Sequence, residues 1–133
     1  MDGFLLDTSI LSDLLRNPRG RVAARIRQVG VAAVCTSIVV AAELRYGIEK
    51  RGSARLADLV EGLLDRVAVL PFETPAERVY SSLRARLERA GNVVGTIDLF
   101  IAAHALALDR TLITDNTREF SRIDGLAVKN WLR

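Results

Sequence analysis

The sequence predicts an α/β fold in which a central parallel sheet is covered by helices on both faces. Two observations carry this expectation. Short β-like runs alternate with longer segments of helical spacing, and helices between strands are what parallel pairing requires. Half of the residues are hydrophobic, so a chain of 133 residues can bury a sizeable core as one domain spanning residues 1–133.

The elements follow in order. Gly3–Asp7 is a brief apolar run, read as a buried strand. Ile10, Leu11, Leu14 and Leu15 recur at helical spacing until Asn17-Pro18 stops that helix. Val22–Val29 reads as a basic second helix and Val31–Thr36 as the second strand. A helix over about Ile38–Lys50 follows, and Gly52-Ser53 separates it from the next, which sets Leu56, Leu59, Val60, Leu63 and Leu64 on one stripe. Arg66–Phe72 is read as the third strand. Thr74-Pro75-Ala76-Glu77 then reads as a capping box, with Thr74 at the N-cap and Pro75 at the first helical position. Thr96–Leu108 is a very apolar helix, Thr111–Thr114 the fourth strand and Leu126–Val128 a fifth.

Composition narrows the function. A net charge of +3 and an isoelectric point near 9.6 suit a nucleic-acid ligand without demanding one. Arginines are spread along the chain, as Arg16, Arg19, Arg21, Arg25 and Arg27 and again as Arg84, Arg86 and Arg89, either as solvated helix faces or as phosphate contacts. The single cysteine, Cys35, forms no internal disulfide and belongs to no zinc cluster. The start, Met1-Asp2-Gly3-Phe4, lacks the pattern of a signal peptide, and the apolar stretch Val29–Ala42, about 14 residues, is shorter than a membrane span needs. A cytoplasmic protein is expected. A mean hydropathy of +0.19 suggests that a partner chain covers part of the surface.

The chemistry is sought just past the strands, where parallel sheets bind ligands. Asp7 ends the first strand, and it is either an N-cap or a functional acid. Glu43 has Val39, Val40, Tyr46 and Gly47 as helical neighbours, and a lone carboxylate beside such a face demands a cation or a proton. Asp98 stands in the first turn of its helix with Ile101, Ala102 and Ala105 around it. Asp115, Asn116 and Glu119 follow the fourth strand. Brought to one sheet edge, these oxygens would suit a hard divalent cation with positions left for water and phosphate. His104, the only histidine, lies deep in an alanine-rich helix and reads as structural.

At these residues the chain resembles the PIN-domain family, in particular the VapC-type toxins of bacterial VapBC modules. The resemblance runs through Phe4-Leu5-Leu6-Asp7-Thr8-Ser9, Val40-Ala41-Ala42-Glu43-Leu44-Arg45-Tyr46-Gly47 and Gly95-Thr96-Ile97-Asp98-Leu99-Phe100-Ile101-Ala102-Ala103-His104-Ala105. It ends with Leu112-Ile113-Thr114-Asp115-Asn116-Thr117-Arg118-Glu119-Phe120 and a late Asn130-Trp131. It implies a three-layer α/β/α sandwich with Mg²⁺- or Mn²⁺-dependent endoribonuclease activity that arrests translation. By motif position it implies Asp7, Glu43, Asp98 and Glu119 as catalytic acids, Asp7, Glu43, Asp98 and Asn116 as metal ligands, and Thr8 as support for Asp7. The chain departs from many relatives in carrying Asn116 where they carry Asp, so Asn116 with Glu119 is expected to complete the site while Asp115 turns away. The resemblance also implies an RNA substrate, a homodimer and a VapB-like antitoxin; the Leu56–Leu64 stripe and the Leu11/Leu14/Leu15 helix are either its docking surfaces or part of the core. A non-catalytic PIN-like RNA-binding module is the alternative.

Overall fold

A computed structural model describes residues 3–133; Met1 and Asp2, which belong to the stretch read as lacking a signal peptide, lie outside the described residues. Five short strands, β1 (Phe4–Leu6), β2 (Val34–Ser37), β3 (Ala68–Leu70), β4 (Thr111–Ile113) and β5 (Val128–Lys129), form one sheet in the order β3-β2-β1-β4-β5. Every pairing is parallel, with Leu5 opposite both Cys35 and Leu112. Helices α1 (Thr8–Arg16) and α2 (Arg21–Val29) connect β1 to β2, and α3 (Ile38–Arg51) and α4 (Ala54–Arg66) connect β2 to β3. The chain then crosses the sheet through α5 (Ala76–Arg89) and α6 (Thr96–Ala107) to β4, and α7 (Thr117–Phe120) precedes β5. Right-handed crossovers that step first one way from β1 and then the other put α1–α4 on one face and α5–α7 on the opposite face. The three-layer α/β/α sandwich expected from the sequence is the fold observed.

Burial explains why the strands read as continuous apolar runs. Leu5, Leu6, Val34, Cys35, Leu112 and Ile113 are all buried, because helices cover both faces of the sheet. Ile10, Leu11 and Val40 seal one face, and Ile101, Ala102, Ala105 and Phe120 seal the other. The two stripes expected to dock a partner divide: Leu11, Val60 and Leu64 belong to the core, whereas Leu14, Leu15, Leu56 and Leu63 are half-buried and Leu59 is exposed.

Several boundaries differ from the sequence reading. Val31–Ala33 is a short 3₁₀ turn rather than strand, closed by a bond from the Ala33 N–H to the Gly30 carbonyl. The second strand starts at Val34, where Phe4 first provides a neighbour. The third strand shrinks to Ala68–Leu70, because Arg66 still belongs to α4 and Pro71 brings no N–H to a ladder. The fifth begins two residues later than expected, where Leu112 and Ile113 provide partners. Helix α5 starts at Ala76, with Pro75 in the N-cap place; the Thr74 hydroxyl bonds the Glu77 carboxylate at 2.7 Å instead of capping a helical N–H. Helix α7, not foreseen, delivers Phe120 to the core.

His104 fills the structural role expected of it. It is buried, and its Nδ1 lies 2.7 Å from Ser37 Oγ. Ser37 Oγ accepts the Val39 N–H and thereby caps α3, which leaves its own hydrogen to donate to Nδ1. Burial pushes the imidazole pKa down, so the ring is neutral in the fold. Ser37→Ala removes the cap and strands a buried ring nitrogen together; a loss of about 1–3 kcal/mol in urea unfolding is expected.

Candidate active site

The strand order reverses direction at the β1–β4 boundary, and the residues that follow those two strands meet there. Asp7 extends β1, and its N–H bonds the Ile113 carbonyl at 2.9 Å. It is buried and caps α1, with Oδ1 accepting the Thr8 N–H at 2.7 Å and Oδ2 accepting the Thr114 hydroxyl at 2.6 Å. Burial raises its pKa, and these two bonds oppose the rise. Thr8 thus holds Asp7 through its backbone, and the supporting hydroxyl is that of Thr114. Sequence reasoning did not single out Thr114, although its place directly after β4 was the available signal.

Glu43 projects from α3 and Asp98 from the first turn of α6; both are half-buried. Together with Asp7, Asp115 and Asn116 they line one open cleft of about 380 Å³. Asp98 carries the clearest mark of this crowding. Its pKa is raised from 3.8 to about 6, first by burial and then by the charges of Glu119, Asp7 and Glu43. The Asp98 carboxyl is also within hydrogen-bonding reach of Glu119.

Glu119 comes from α7 and stands beside Asp98 without lining the cleft itself. Its Oε1 accepts the N–H of Gly95, the residue that precedes α6, at 3.0 Å, and Oε2 accepts the Asn116 side-chain amide at 2.9 Å. Those bonds hold its pKa below the ordinary glutamate value. Asn116 also donates its backbone N–H to Thr114 Oγ1 at 3.0 Å, so Asp7, Thr114, Asn116 and Glu119 are joined by consecutive hydrogen bonds. Asp115 was expected to turn away; it lines the cleft, but its Oδ1 accepts the Asn130 amide at 3.1 Å.

The cleft therefore collects acids from β1, α3, α6 and the β4–α7 turn, and no lysine or arginine is among its lining residues. The positive ends of α1 and α6 offset part of that charge. Among the described residues no three acidic, His or Cys side chains are arranged to enclose a metal ion directly. The hard-oxygen donor set nevertheless fits an ion of the Mg²⁺ kind, which is commonly held by one or two carboxylates and completes its shell with water and phosphate oxygens.

The chain is similar to known proteins over nearly its whole length. The profile of the PIN domain matches residues 4–126. The tRNA(fMet)-specific endonuclease VapC of Shigella flexneri is 36% identical over 129 residues, covering 96% of this chain and 97% of that protein. Ribonuclease VapC2 of Haemophilus influenzae (strain ATCC 51907 / DSM 11121 / KW20 / Rd) is 30% identical over 130 residues, 97% of this chain and 98% of the relative. Among solved structures, DNA-bound VapBC from Salmonella typhimurium superposes with a TM-score of 0.90 at 34% identity, covering 98% of this chain and 99% of that one. VapBC2 from Rickettsia felis, bound to a DNA fragment from its promoter, gives 0.88 at 30% identity, covering 96% and 98%. The chain belongs to the PIN-domain family, among the VapC ribonucleases.

Proposed function

We infer that this chain is a divalent-metal-dependent endoribonuclease, the toxin of a two-protein toxin–antitoxin module, working as one domain over residues 1–133 in the cytoplasm. The observation that carries the reading is the collection of acids from four parts of the chain in one cleft that, among the described residues, no basic side chain lines. Mg²⁺ or Mn²⁺, when bound, supplies positive charge to the scissile phosphate and lowers the pKa of an attacking water. Asp7, Glu43, Asp98 and Asn116 are the side chains that would hold it, with Thr8 and Thr114 fixing the Asp7 carboxylate.

Each side chain then has its own task. Asp7 is oriented at both oxygens before any ligand arrives, which removes reorganisation from the reaction. Glu43 faces the same cleft from α3. Asp98, its pKa raised to about 6, is ionised at neutral pH and would offer its carboxylate to a cation. Glu119 is a positioning residue beside Asp98, whose ionisation it opposes, and Asn116 presents a carbonyl oxygen while its amide steadies Glu119.

The relatives' names support the remaining assignments: an RNA substrate and an antitoxin resembling VapB, with a homodimer proposed from the family resemblance. For the antitoxin, an apolar groove of about 500 Å³ between α1, α2 and α4 is the docking surface best suited. Leu14, Leu15, Ile26, Leu59 and Leu63 line it, with Leu59 46% exposed. No helix among the described residues is long and apolar enough to cross a membrane.

Purified protein should cleave RNA with Mg²⁺ or Mn²⁺ and stop when EDTA is added. Asp7→Asn and Asp98→Asn should each lower kcat by about 100-fold or more, the scale of removing one transition-state charge contact. Equal cleavage by wild type and both variants would defeat the assignment; RNA binding without cleavage at any metal would favour the non-catalytic module. Because Asp98 must be ionised to accept a cation, metal affinity should rise as pH rises through about 6. The sign reverses for the metal-free protein. There the raised pKa means that ionising Asp98 costs stability as pH climbs from near 3.8 to about 6, so Asp98→Asn should melt a few degrees higher than wild type in EDTA at pH 7.5. Expression without a partner should arrest growth, and Asp7→Asn should relieve the arrest; normal growth with abundant folded wild-type protein would contradict the toxin role.

A further inference from the structure

A second cavity leaves the acidic cleft and runs along α1. It has a volume of about 390 Å³ and shares Thr8 and Glu43 with the cleft. Its walls are two stripes of side chains at four-residue spacing, which places each stripe on one helix face: Thr8, Ser12 and Arg16 on α1, and Glu43, Gly47 and Arg51 on α3. The acidic cleft lies at one end, small residues occupy the middle, and two arginines close the other. Eight residue steps along α1 put Arg16 roughly 12 Å from Thr8.

The charges at the far end are uncommitted. Arg16 and Arg51 are exposed, and among the described residues the ion pairs are Arg45–Glu61 and Arg84–Glu88, neither of which involves them. Beyond Arg16 the surface opens into a depression of about 610 Å³ to which Arg19 and Arg21 also contribute. The acid in that depression, Asp13, accepts the Asn17 side-chain amide. The groove is also open at its midpoint, since a Cβ added at Gly47 would meet no atom within 4 Å.

We propose that this α1–α3 groove is the track along which the RNA sugar–phosphate backbone leaves the cleavage site, with Arg16 and Arg51 each holding a phosphate. The proposal rests on the ribonuclease reading and adds a binding site to it. A polyanion with a charge at every nucleotide matches unpaired arginines at a fixed distance from the cleft, and the span suits about two nucleotides of single strand. Of the aliphatic residues in its floor, the half-buried Leu15 and Leu56 offer an apolar surface to ribose and base faces, with Leu44 and Val60 buried behind them. Arginine suits the contact because its fork meets phosphate oxygens in pairs.

The test is the salt dependence of kcat/KM on a random-sequence single-stranded RNA pool in Mg²⁺, for wild type, Arg16→Ala, Arg51→Ala, the double variant and Gly47→Leu. Arg45→Ala, which removes the same charge outside the groove, is the control for global electrostatics. Each groove arginine should raise KM about fivefold to tenfold, leave kcat within about twofold, and reduce the slope of log(kcat/KM) against log[salt] by about 0.7. Gly47→Leu should raise KM at unchanged charge, with a thermal melt confirming that it folds, and Arg45→Ala should keep the wild-type slope. Wild-type KM and slope in Arg16→Ala/Arg51→Ala would overturn the track while leaving the nuclease intact, as would loss of binding to a VapB-like antitoxin with RNA cleavage unchanged. Absence of cleavage by the wild type itself would instead remove the reading on which the track rests, and the track with it.

Discussion

Several carboxylates gathered in one cleft, with no lysine or arginine among the described residues that line it, are the constraint around which this molecule is organised. Charges of one sign at such separations repel, and burial makes each more costly to ionise. The protein offsets part of the cost with helix N-termini at Asp7 and Asp98 and with donors from Thr8, Thr114, Gly95 and Asn116. The remainder appears as the raised pKa values of Asp7 and Asp98. A cleft in this condition gains from any small divalent cation that replaces the missing proton, so electrostatic strain and cation affinity have a common source.

The fold delivers the acids through topology rather than local sequence. β1 and β4 are neighbours in the sheet although more than a hundred residues apart in the chain, and their reversal point opens the cleft between Asp7 and the Thr114–Asn116 turn. Helices α3 and α6 then aim Glu43 and Asp98 into it from their exposed flanks while burying Val40, Ala41, Ile101 and Ala102. The same helix pair is tied through the His104–Ser37 bond, 2.7 Å long and fully enclosed, which fixes the α3 N-terminus against α6. Core packing and site geometry are therefore set by the same helices.

Much of this was readable before any coordinates. Asp7 stood out because it directly follows the first strand, and Glu43 and Asp98 because each is an acid bordered by apolar helical neighbours, a pattern whose cost needs an explanation. The alternation of strand and helix predicted the layers. What could not be read were features that depend on a distant partner. Thr114 is an ordinary threonine until β4 is laid beside β1, and Val31–Ala33 was as apolar as the strand it precedes until Phe4 was seen to begin opposite Val34. Asp115 was expected outside the site, yet the turn carries it to the rim, where Asn130 from the last strand's end engages one oxygen. Pairing along a stripe, as with Ser12 and Gly47, likewise becomes visible only once α1 and α3 are placed together.

The central claim concerns what neutralises the acids, and a crystal grown with Mn²⁺ and examined by anomalous scattering tests it most directly. The expected result is a peak in the cleft bonded to one or two of Asp7, Glu43 and Asp98, with the remaining positions taken by water. An empty cleft at saturating Mn²⁺, with Asp7 still held by Thr8 and Thr114 and Glu119 still held by Gly95 and Asn116, would contradict it.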